Sequence, residues 1–145
     1  ANVAYLGTFG YELDLNKLTG EERKQIRAQI AFMKEYRTVI QFGDFYRLRS
    51  PFEGNFTAWM VVSPDKRTAL VGWYRLLSEA NGPFRRVKLQ GLDPDLSYTV
   101  DGGGTHYGDE LMNLGLITTD SGAGERQPDE QPICDFDSRI FVLKA

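Results

Sequence analysis

Hydrophobic and polar positions change their pattern twice along the chain. Residues 3–6 form a short continuous apolar run closed by Gly7, which is typical of a strand buried on both faces, as in a parallel sheet. Thr19 and Glu22 then have the spacing of a capping box, and apolar residues follow at intervals of three and four. The pattern predicts a helix over residues 20–40 that ends before Gly43. Its apolar positions are Ile26, Ile30, Phe32, Met33, Tyr36, Val39 and Ile40.

From residue 44 onward, short aromatic and β-branched runs alternate with turn residues, which is typical of antiparallel β-structure. The predicted strands are residues 45–50, 56–63, 67–77, 84–90, 98–101 and 139–144. A proline in the turn of residues 63–66 favours a hairpin between the second and third strands. Residues 101–106 and 119–132 are rich in glycine and in polar or acidic residues, so we expect loops there.

The strand, loop and helix at the start of the chain make only half of a parallel βαβ unit. The hairpins that follow offer no parallel neighbour to the first strand, so residues 1–42 are interpreted as the end of an α/β domain. Residues 43–145 are interpreted as a separate antiparallel β-sandwich. The alternative is one sandwich with a helix packed on it and a frayed N-terminal segment. Because residue 1 is Ala, we expect a longer polypeptide upstream.

The amino-acid composition restricts the classes of protein to which the chain can belong. The 145 residues are 41% hydrophobic and 26% charged, which suits a chain with one folded core. A net charge of −3 argues against nucleic-acid or anionic-membrane partners, and no run approaches the roughly 18 apolar residues of a membrane span. A single cysteine, Cys134, excludes an internal disulfide and fits a cytoplasmic protein.

Residues with catalytic or metal-binding chemistry are few. His106 is the one histidine in the sequence, which excludes a two-histidine metal site, and no Gly-x-Ser-x-Gly motif accompanies it. We therefore expect His106 in a surface loop, and we expect neither a cofactor nor a metal. Three acidic pairs two residues apart lack a partner group and are expected at solvated turns. These pairs are Glu12 with Asp14, Asp93 with Asp95, and Asp135 with Asp137.

Trp59 and Trp73 are candidates for an interface or for an aromatic platform that binds sugar. Both lie on predicted strands whose two faces are apolar, whereas a strand with one face in water alternates apolar and polar residues. This pattern predicts a hairpin covered on both sides, with the tryptophans in a core or an interface. The sugar platform remains the alternative.

Six stretches in chain order resemble the C-terminal part of a bacterial α-galactosidase of glycoside hydrolase family 36. They are GTFGYELDL (7–15), QFGDFYRL (41–48), SPFEGN (50–55), AWMVVS (58–63), LQGLDP (89–94) and YGDELMNLGL (107–116). The resemblance implies a (β/α)₈ catalytic barrel followed by an antiparallel β-sandwich, with residues 1 to about 40 as the last barrel strand and helix.

The resemblance also implies an activity and a set of partners. Members of this family hydrolyse terminal α-galactosides such as melibiose and raffinose with retention, using two aspartates and no metal. The implied partners are the catalytic barrel of the same polypeptide, oligosaccharides, and further copies in a homo-oligomer. Barrel active sites lie on the loops that follow the strands, so Thr8, Phe9 and Tyr11 are candidates for the substrate rim.

The family's catalytic aspartates have no counterpart in this sequence. The nucleophile follows a Lys-Trp pair and the acid/base belongs to a Ser-Asp motif, and neither pair of residues occurs here. We therefore predict a non-catalytic structural domain that is inactive alone. The alternatives are an independent carbohydrate-binding module and an unrelated scaffold with coincidental motifs.

Overall fold

A computed structural model describes residues 1–78, 85–101, 103–118 and 135–145. Two 3-10 helices, Ala4–Leu6 and Leu15–Lys17, precede the long helix α1 (Gly20–Phe42). Eight strands and a second helix, α2 (Gly108–Asn113), follow within the described ranges. The strands are β1 (Asp44–Arg49), β2 (Phe56–Val62), β3 (Thr68–Arg75), β4 (Arg86–Val87), β5 (Ser97–Val100), β6 (Gly104–Tyr107), β7 (Leu116–Ile117) and β8 (Ser138–Lys144).

Helix α1 begins and ends close to the predicted positions. The Thr19 hydroxyl accepts a hydrogen bond from the backbone N–H of Glu22, whose carboxylate accepts from the backbone N–H of Thr19, so the capping box is confirmed. At the other end the N–H of Gly43 donates to the carbonyl of Val39. A Cβ at Gly43 would lie 2.6 Å from the carbonyl oxygens of Val39 and Val62, so only glycine allows this close approach.

The strand predicted for residues 3–6 is wrong. These residues form the 3-10 helix Ala4–Leu6, whose backbone bonds close locally, from Ala4 N–H to the Ala1 carbonyl and from Gly7 N–H to the Ala4 carbonyl. A strand needs a hydrogen-bonded neighbour, and none of the described strands lies beside this segment. Tyr5 is buried against α1, while Val3 is 75% exposed.

An antiparallel sheet of six strands in the order β1-β2-β3-β8-β5-β6 dominates the fold, so the predicted antiparallel architecture is confirmed. The predicted hairpin between β2 and β3 is also present, with the N–H of Lys66 donating to the carbonyl of Ser63. Lys66 has a φ of 59°, and its carbonyl accepts a hydrogen bond from the buried Tyr98 hydroxyl.

The main core lies on one face of this sheet, called here the inner face. The two-stranded sheet β4–β7 and helix α2 cover it and complete the second layer. The core side chains from the large sheet are Phe56, Ala58, Met60, Val62, Ala69, Val71, Trp73, Tyr98, Val100, Phe141 and Leu143. Those from the covering layer are Val87, Leu89, Leu92, Leu111 and Leu116.

The opposite face, called here the outer face, is covered in part by α1. Tyr36 packs there on Leu70 of β3 and Val142 of β8, with Phe32 and Ile40 beside them. The β2–β3 hairpin therefore has apolar packing on both faces, as its sequence pattern predicts.

Three elements differ from the expected loops and strands. Residues 101–106 are not all loop, because β6 begins at Gly104 and pairs with β5, after a turn in which Gly104 has a φ of 82°. Of the predicted strand over residues 84–90, residue 84 lies outside the described residues, and the described part contains the short strand β4, which pairs with the unpredicted β7. The predicted loop over residues 119–132 and the lone cysteine, Cys134, lie outside the described residues.

No helix within the described ranges is both long and apolar enough to cross a lipid bilayer.

Candidate functional site

The rim candidates Thr8, Phe9 and Tyr11 lie in the segment between the two 3-10 helices. Phe9 stacks on Tyr5 with ring centroids 5.1 Å apart, and Tyr11 meets Phe9 edge-on at 5.5 Å. The Tyr11 hydroxyl donates to the side-chain carbonyl of Gln29 on α1. The two aromatic side chains thus hold this segment on α1, while Thr8 is exposed.

Trp73 and Trp59 lie on opposite faces of the sheet. Trp73 is 3% exposed in the inner-face core, and the guanidinium of Arg75 lies 5.4 Å from its ring centroid. A side chain buried in this way presents no ring face to a ligand, so Trp73 is a core residue in this structure. Trp59 is half-buried on the outer face, beside the part that α1 covers.

Trp59 is the centre of a row of three aromatic side chains, called here the aromatic row: Phe45 on β1, Trp59 on β2 and Tyr74 on β3. The centroids of Phe45 and Trp59 are 6.3 Å apart and those of Trp59 and Tyr74 are 6.0 Å apart, with interplanar angles of 31° and 32°. Gly72 pairs with Trp59 across β2 and β3, and a Cβ there would lie 2.4 Å from the indole. The glycine therefore lets the indole lie flat on the sheet.

A groove of about 350 Å³ runs along one end of the aromatic row. Trp59 and Tyr74 form its floor, and the exposed side chains of Val3, Leu76 and Phe136 form its rim. The Tyr74 hydroxyl donates to the carbonyl of Asn2 at 2.7 Å, and burial raises the pKa of Tyr74 to about 12. The row is thus an apolar surface without a group that ionises near neutral pH.

Sequence reasoning identified Trp59 but missed Phe45 and Tyr74 as its neighbours. The missing information was the strand register, which places Phe45 opposite Val61 and Tyr74 opposite Thr57. A glycine within an apolar strand was the one available signal, because such glycines often mark the close approach of another group.

His106 lies on β6 rather than in a loop. Its Nδ1 is 3.0 Å from Oε1 of Glu110 on α2, and its Nε2 is 2.8 Å from the carbonyl oxygen of Gly103. Both partners accept hydrogen bonds only, so the geometry favours a ring that is protonated on both nitrogens. The Gly103 carbonyl, followed by the Glu110 carboxylate, raises the pKa of His106.

Asp14 and Asp93 lie at turns, as expected, whereas Asp135 and Asp137 have side-chain partners that the sequence pattern did not predict. Asp14 accepts from the N–H of Asn16, and Asp93 accepts from the N–H of Asp95. Asp135 accepts from the N–H and hydroxyl of Ser78, and these bonds lower the pKa of Asp135. Asp137 pairs with Arg75 at 3.0 Å. Within the described parts of the chain, no three His, Cys, Asp or Glu side chains form a group that could hold a metal.

Fold and site together define a β-domain for packing or binding. Its acidic side chains have local structural roles, and its outer face carries the aromatic row. Comparison with known families places the domain. Residues 56–143 match the family model described as the glycosyl hydrolase family 36 C-terminal domain, and residues 1–43 match the melibiase model. The chain belongs to glycosyl hydrolase family 36.

Individual relatives agree with this assignment. α-Galactosidase AgaA of Geobacillus stearothermophilus is 51% identical over 115 residues, which are 79% of this chain and 16% of that protein. The crystal structure of the family 36 α-galactosidase AgaB from the same organism matches with a TM-score of 0.85 and 47% identity, covering 99% of this chain and 18% of that one.

A variant of AgaA in complex with raffinose matches with a TM-score of 0.85 and 44% identity, over 99% of this chain and 18% of that one. The chain therefore spans less than a fifth of the length of these relatives.

Proposed function

We propose that the chain is the C-terminal, non-catalytic part of a retaining α-galactosidase. The observation that carries this proposal is the match of 99% of the chain to 18% of an α-galactosidase structure at 47% identity. The complete protein would hydrolyse terminal α-galactosyl residues of oligosaccharides such as melibiose and raffinose. A raffinose complex of a matching structure supports that substrate class. The two catalytic aspartates would lie in the preceding barrel, and the complete enzyme would be a cytoplasmic homo-oligomer.

Within this proposal, residues 1–42 close the catalytic barrel and residues 43–145 form the β-sandwich domain. The change of family model between residues 43 and 56 supports the boundary, as does the end of α1 at Gly43. Thr8, Phe9 and Tyr11 would then belong to a loop at the rim of the barrel. Because the rings of Phe9 and Tyr11 pack near α1, the exposed side chain of Thr8 is the part of this loop best placed to approach a substrate.

The aromatic row would be the surface on which the domain packs against the barrel. Phe45 is 48% exposed and Trp59 is half-buried, although both lie on the sheet face that α1 already covers elsewhere. Phe136 and Val3, at 78% and 75% exposed, extend the apolar surface around the groove. Full burial of such a side chain stabilises a packed state by roughly 1.5–3 kcal/mol, so contact with the rest of the polypeptide would be strongly favoured.

A chimera tests the proposal. The chain would replace the matching segment of AgaA, and raffinose hydrolysis would be measured together with the rate of thermal inactivation. We expect the chimera to be active. We also expect its Trp59→Ala variant to lose activity faster on heating. Phe52→Ala removes a 96% exposed ring outside the row and is the matched control. A soluble, folded chimera without galactosidase activity would contradict the proposal, as would turnover of a nitrophenyl α-galactoside by the 145-residue chain alone.

A second candidate function is an independent carbohydrate-binding module. The flat indole over Gly72, flanked by two further rings, favours it, because sugar rings stack on aromatic faces. Calorimetry of the chain with galactose, melibiose and raffinose at millimolar concentration distinguishes the two functions. The packing function predicts no binding heat. Saturable binding that Trp59→Ala abolishes in a folded protein would establish the module instead.

A further inference from the structure

A second cavity lies where β6, α2, β7 and the start of β8 meet. Its volume is about 270 Å³, close to the lower end of the range of roughly 300–1,000 Å³ for small-ligand sites. Leu111, Leu116 and Phe141 form an apolar wall of this cavity. Its charged lining residues are Arg86, His106, Glu110 and Arg139.

The one carboxylate in this lining, that of Glu110, already has a hydrogen-bond partner. Oε1 of Glu110 lies 3.0 Å from Nδ1 of His106, and the Gly103 carbonyl oxygen lies 2.8 Å from Nε2, so each ring nitrogen already has a hydrogen-bond partner. Oε1 of Glu110 is therefore committed to the histidine rather than to either arginine.

Among the described residues, no carboxylate pairs with the guanidinium of Arg86 or with that of Arg139. Nη1 of Arg86 is 3.5 Å from the carbonyl oxygen of Gly115, and Nη2 of Arg139 is 3.5 Å from that of Asp101. The guanidinium of Arg139 also lies 4.5 Å from the ring centroid of Phe141. Backbone carbonyls and a ring orient these side chains without cancelling their charge.

The cavity thus contains two guanidiniums, those of Arg86 and Arg139, against the one carboxylate of Glu110, which itself pairs with His106. Arg86, His106 and Arg139 all line this one cavity, although they belong to three different strands. Both arginines are exposed, so their guanidiniums can donate to an anion that enters from solvent, and the anion would offset their mutual repulsion. The planar fork of arginine matches the oxygens of a phosphate group, to which it donates two parallel hydrogen bonds.

We propose that this cavity binds a phosphate group, carried either by inorganic phosphate or by a phosphorylated sugar. Arg86 and Arg139 donate to the phosphate oxygens. Because both ring nitrogens of His106 already have hydrogen-bond partners, the two arginines are the donors to the phosphate. The apolar wall formed by Leu116 and Phe141 borders any carbon skeleton attached to the phosphate.

Nuclear magnetic resonance of the 145-residue chain tests this site. Inorganic phosphate is titrated at pH 7 with sodium chloride adjusted to constant ionic strength, while the arginine side-chain N–H and His106 ring signals are followed. We expect saturable shifts, and we expect Arg86→Gln and Arg139→Gln each to weaken binding about tenfold, the usual effect of losing a charge-assisted hydrogen bond. Arg37→Gln, on the exposed side of α1, is the matched control and should leave the affinity unchanged.

Further ligands show which molecule carries the phosphate group, and a further variant tests the role of the planar guanidinium of Arg139. Saturable binding of galactose 1-phosphate, with none by galactose, supports recognition of the phosphate group. Tighter binding of the sugar phosphate than of inorganic phosphate assigns that ligand, and the reverse assigns the free ion. Should Arg139→Gln fail to fold, Arg139→Lys retains the charge without the fork and should still weaken binding severalfold. Shifts that rise linearly with phosphate, equal binding by galactose, or equal affinities of Arg86→Gln and Arg37→Gln would overturn the proposal.

Discussion

Gly72 determines how the Trp59 indole lies, because any side chain at this position would occupy the space of the ring. An added Cβ would meet three indole atoms at 2.4–2.9 Å. Since Trp59 is half-buried, the ring has room to swing outward and relieve the contact. Adding one carbon to packed β-structure of this kind costs about 1–3 kcal/mol.

We therefore predict that Gly72→Ala lowers the free energy of unfolding by about 1–3 kcal/mol and shifts tryptophan emission to longer wavelength. Urea denaturation followed by fluorescence measures both effects. Gly10→Ala is the control, because a Cβ at Gly10 meets nothing within 4 Å. In a Trp59→Ala background the cost of Gly72→Ala should largely disappear, whereas equal costs in both backgrounds would show that the indole is not the obstacle.

His106 gives the stability of the chain a dependence on pH. The Gly103 carbonyl and the Glu110 carboxylate raise the pKa of its imidazole above the usual value near 6.5. A group whose pKa is raised by folding contributes stability that is complete below the unfolded-state pKa and is lost as the pH rises through the folded-state pKa.

The difference in unfolding free energy between the wild type and His106→Gln should therefore be largest below about pH 6.5 and should shrink above it. Urea denaturation from pH 5.5 to pH 9 in phosphate-free buffer measures this difference. As the sequence contains one histidine, its ring resonances report the folded-state pKa directly. Glu110→Gln should lower that pKa, and a wild-type value at or below 6.5 would contradict the prediction.

Helix α1 depends on its capping box for its start. The Thr19 hydroxyl satisfies an N–H of the first turn that would otherwise lack a partner, and the bonds from Thr19 lower the pKa of Glu22. Thr19→Ala should lower the free energy of unfolding by about 1 kcal/mol. Thermal unfolding followed by circular dichroism measures this change. Thr38→Ala, at an exposed position inside the same helix, should not destabilise, so equal losses from both substitutions would argue against a capping role.

The helices and strands show which sequence signals were sufficient to predict them. Thr19, Glu22 and Gly43 defined α1 because capping is local, and the apolar runs of β2 and β3 predicted coverage of both faces. Residues 3–6 were misjudged because strand formation depends on a neighbour that the local pattern does not contain. Strand β6 was missed because the run of glycines that leads into it also suits a loop. The aromatic row and the charged cavity both depend on strand register and on contacts between distant elements.

The N-terminal segment is the part of the molecule whose structure should depend most on the rest of the polypeptide. Tyr5 and Phe9 anchor it on α1, and Asn2 joins it to Tyr74 and Ser138. In the described parts of the chain, however, the backbone N–H groups of residues 8–13 donate to no carbonyl or side chain. Amide exchange is slow where hydrogen bonds and packing keep the backbone closed, so this segment lacks the usual protection.

We predict that in the isolated chain the amides of residues 8–13 exchange within the shortest labelling time, whereas those of β2 and β3 exchange as slowly as global unfolding allows. In the AgaA chimera the barrel would supply the missing neighbours, so the same residues should become protected while β2 and β3 change little. Hydrogen–deuterium exchange with peptide mass spectrometry measures both samples, with α1 as an internal reference. Equal exchange of residues 8–13 in the two samples would show that this segment gains nothing from a barrel, and the division of the chain after residue 42 would then have to be abandoned.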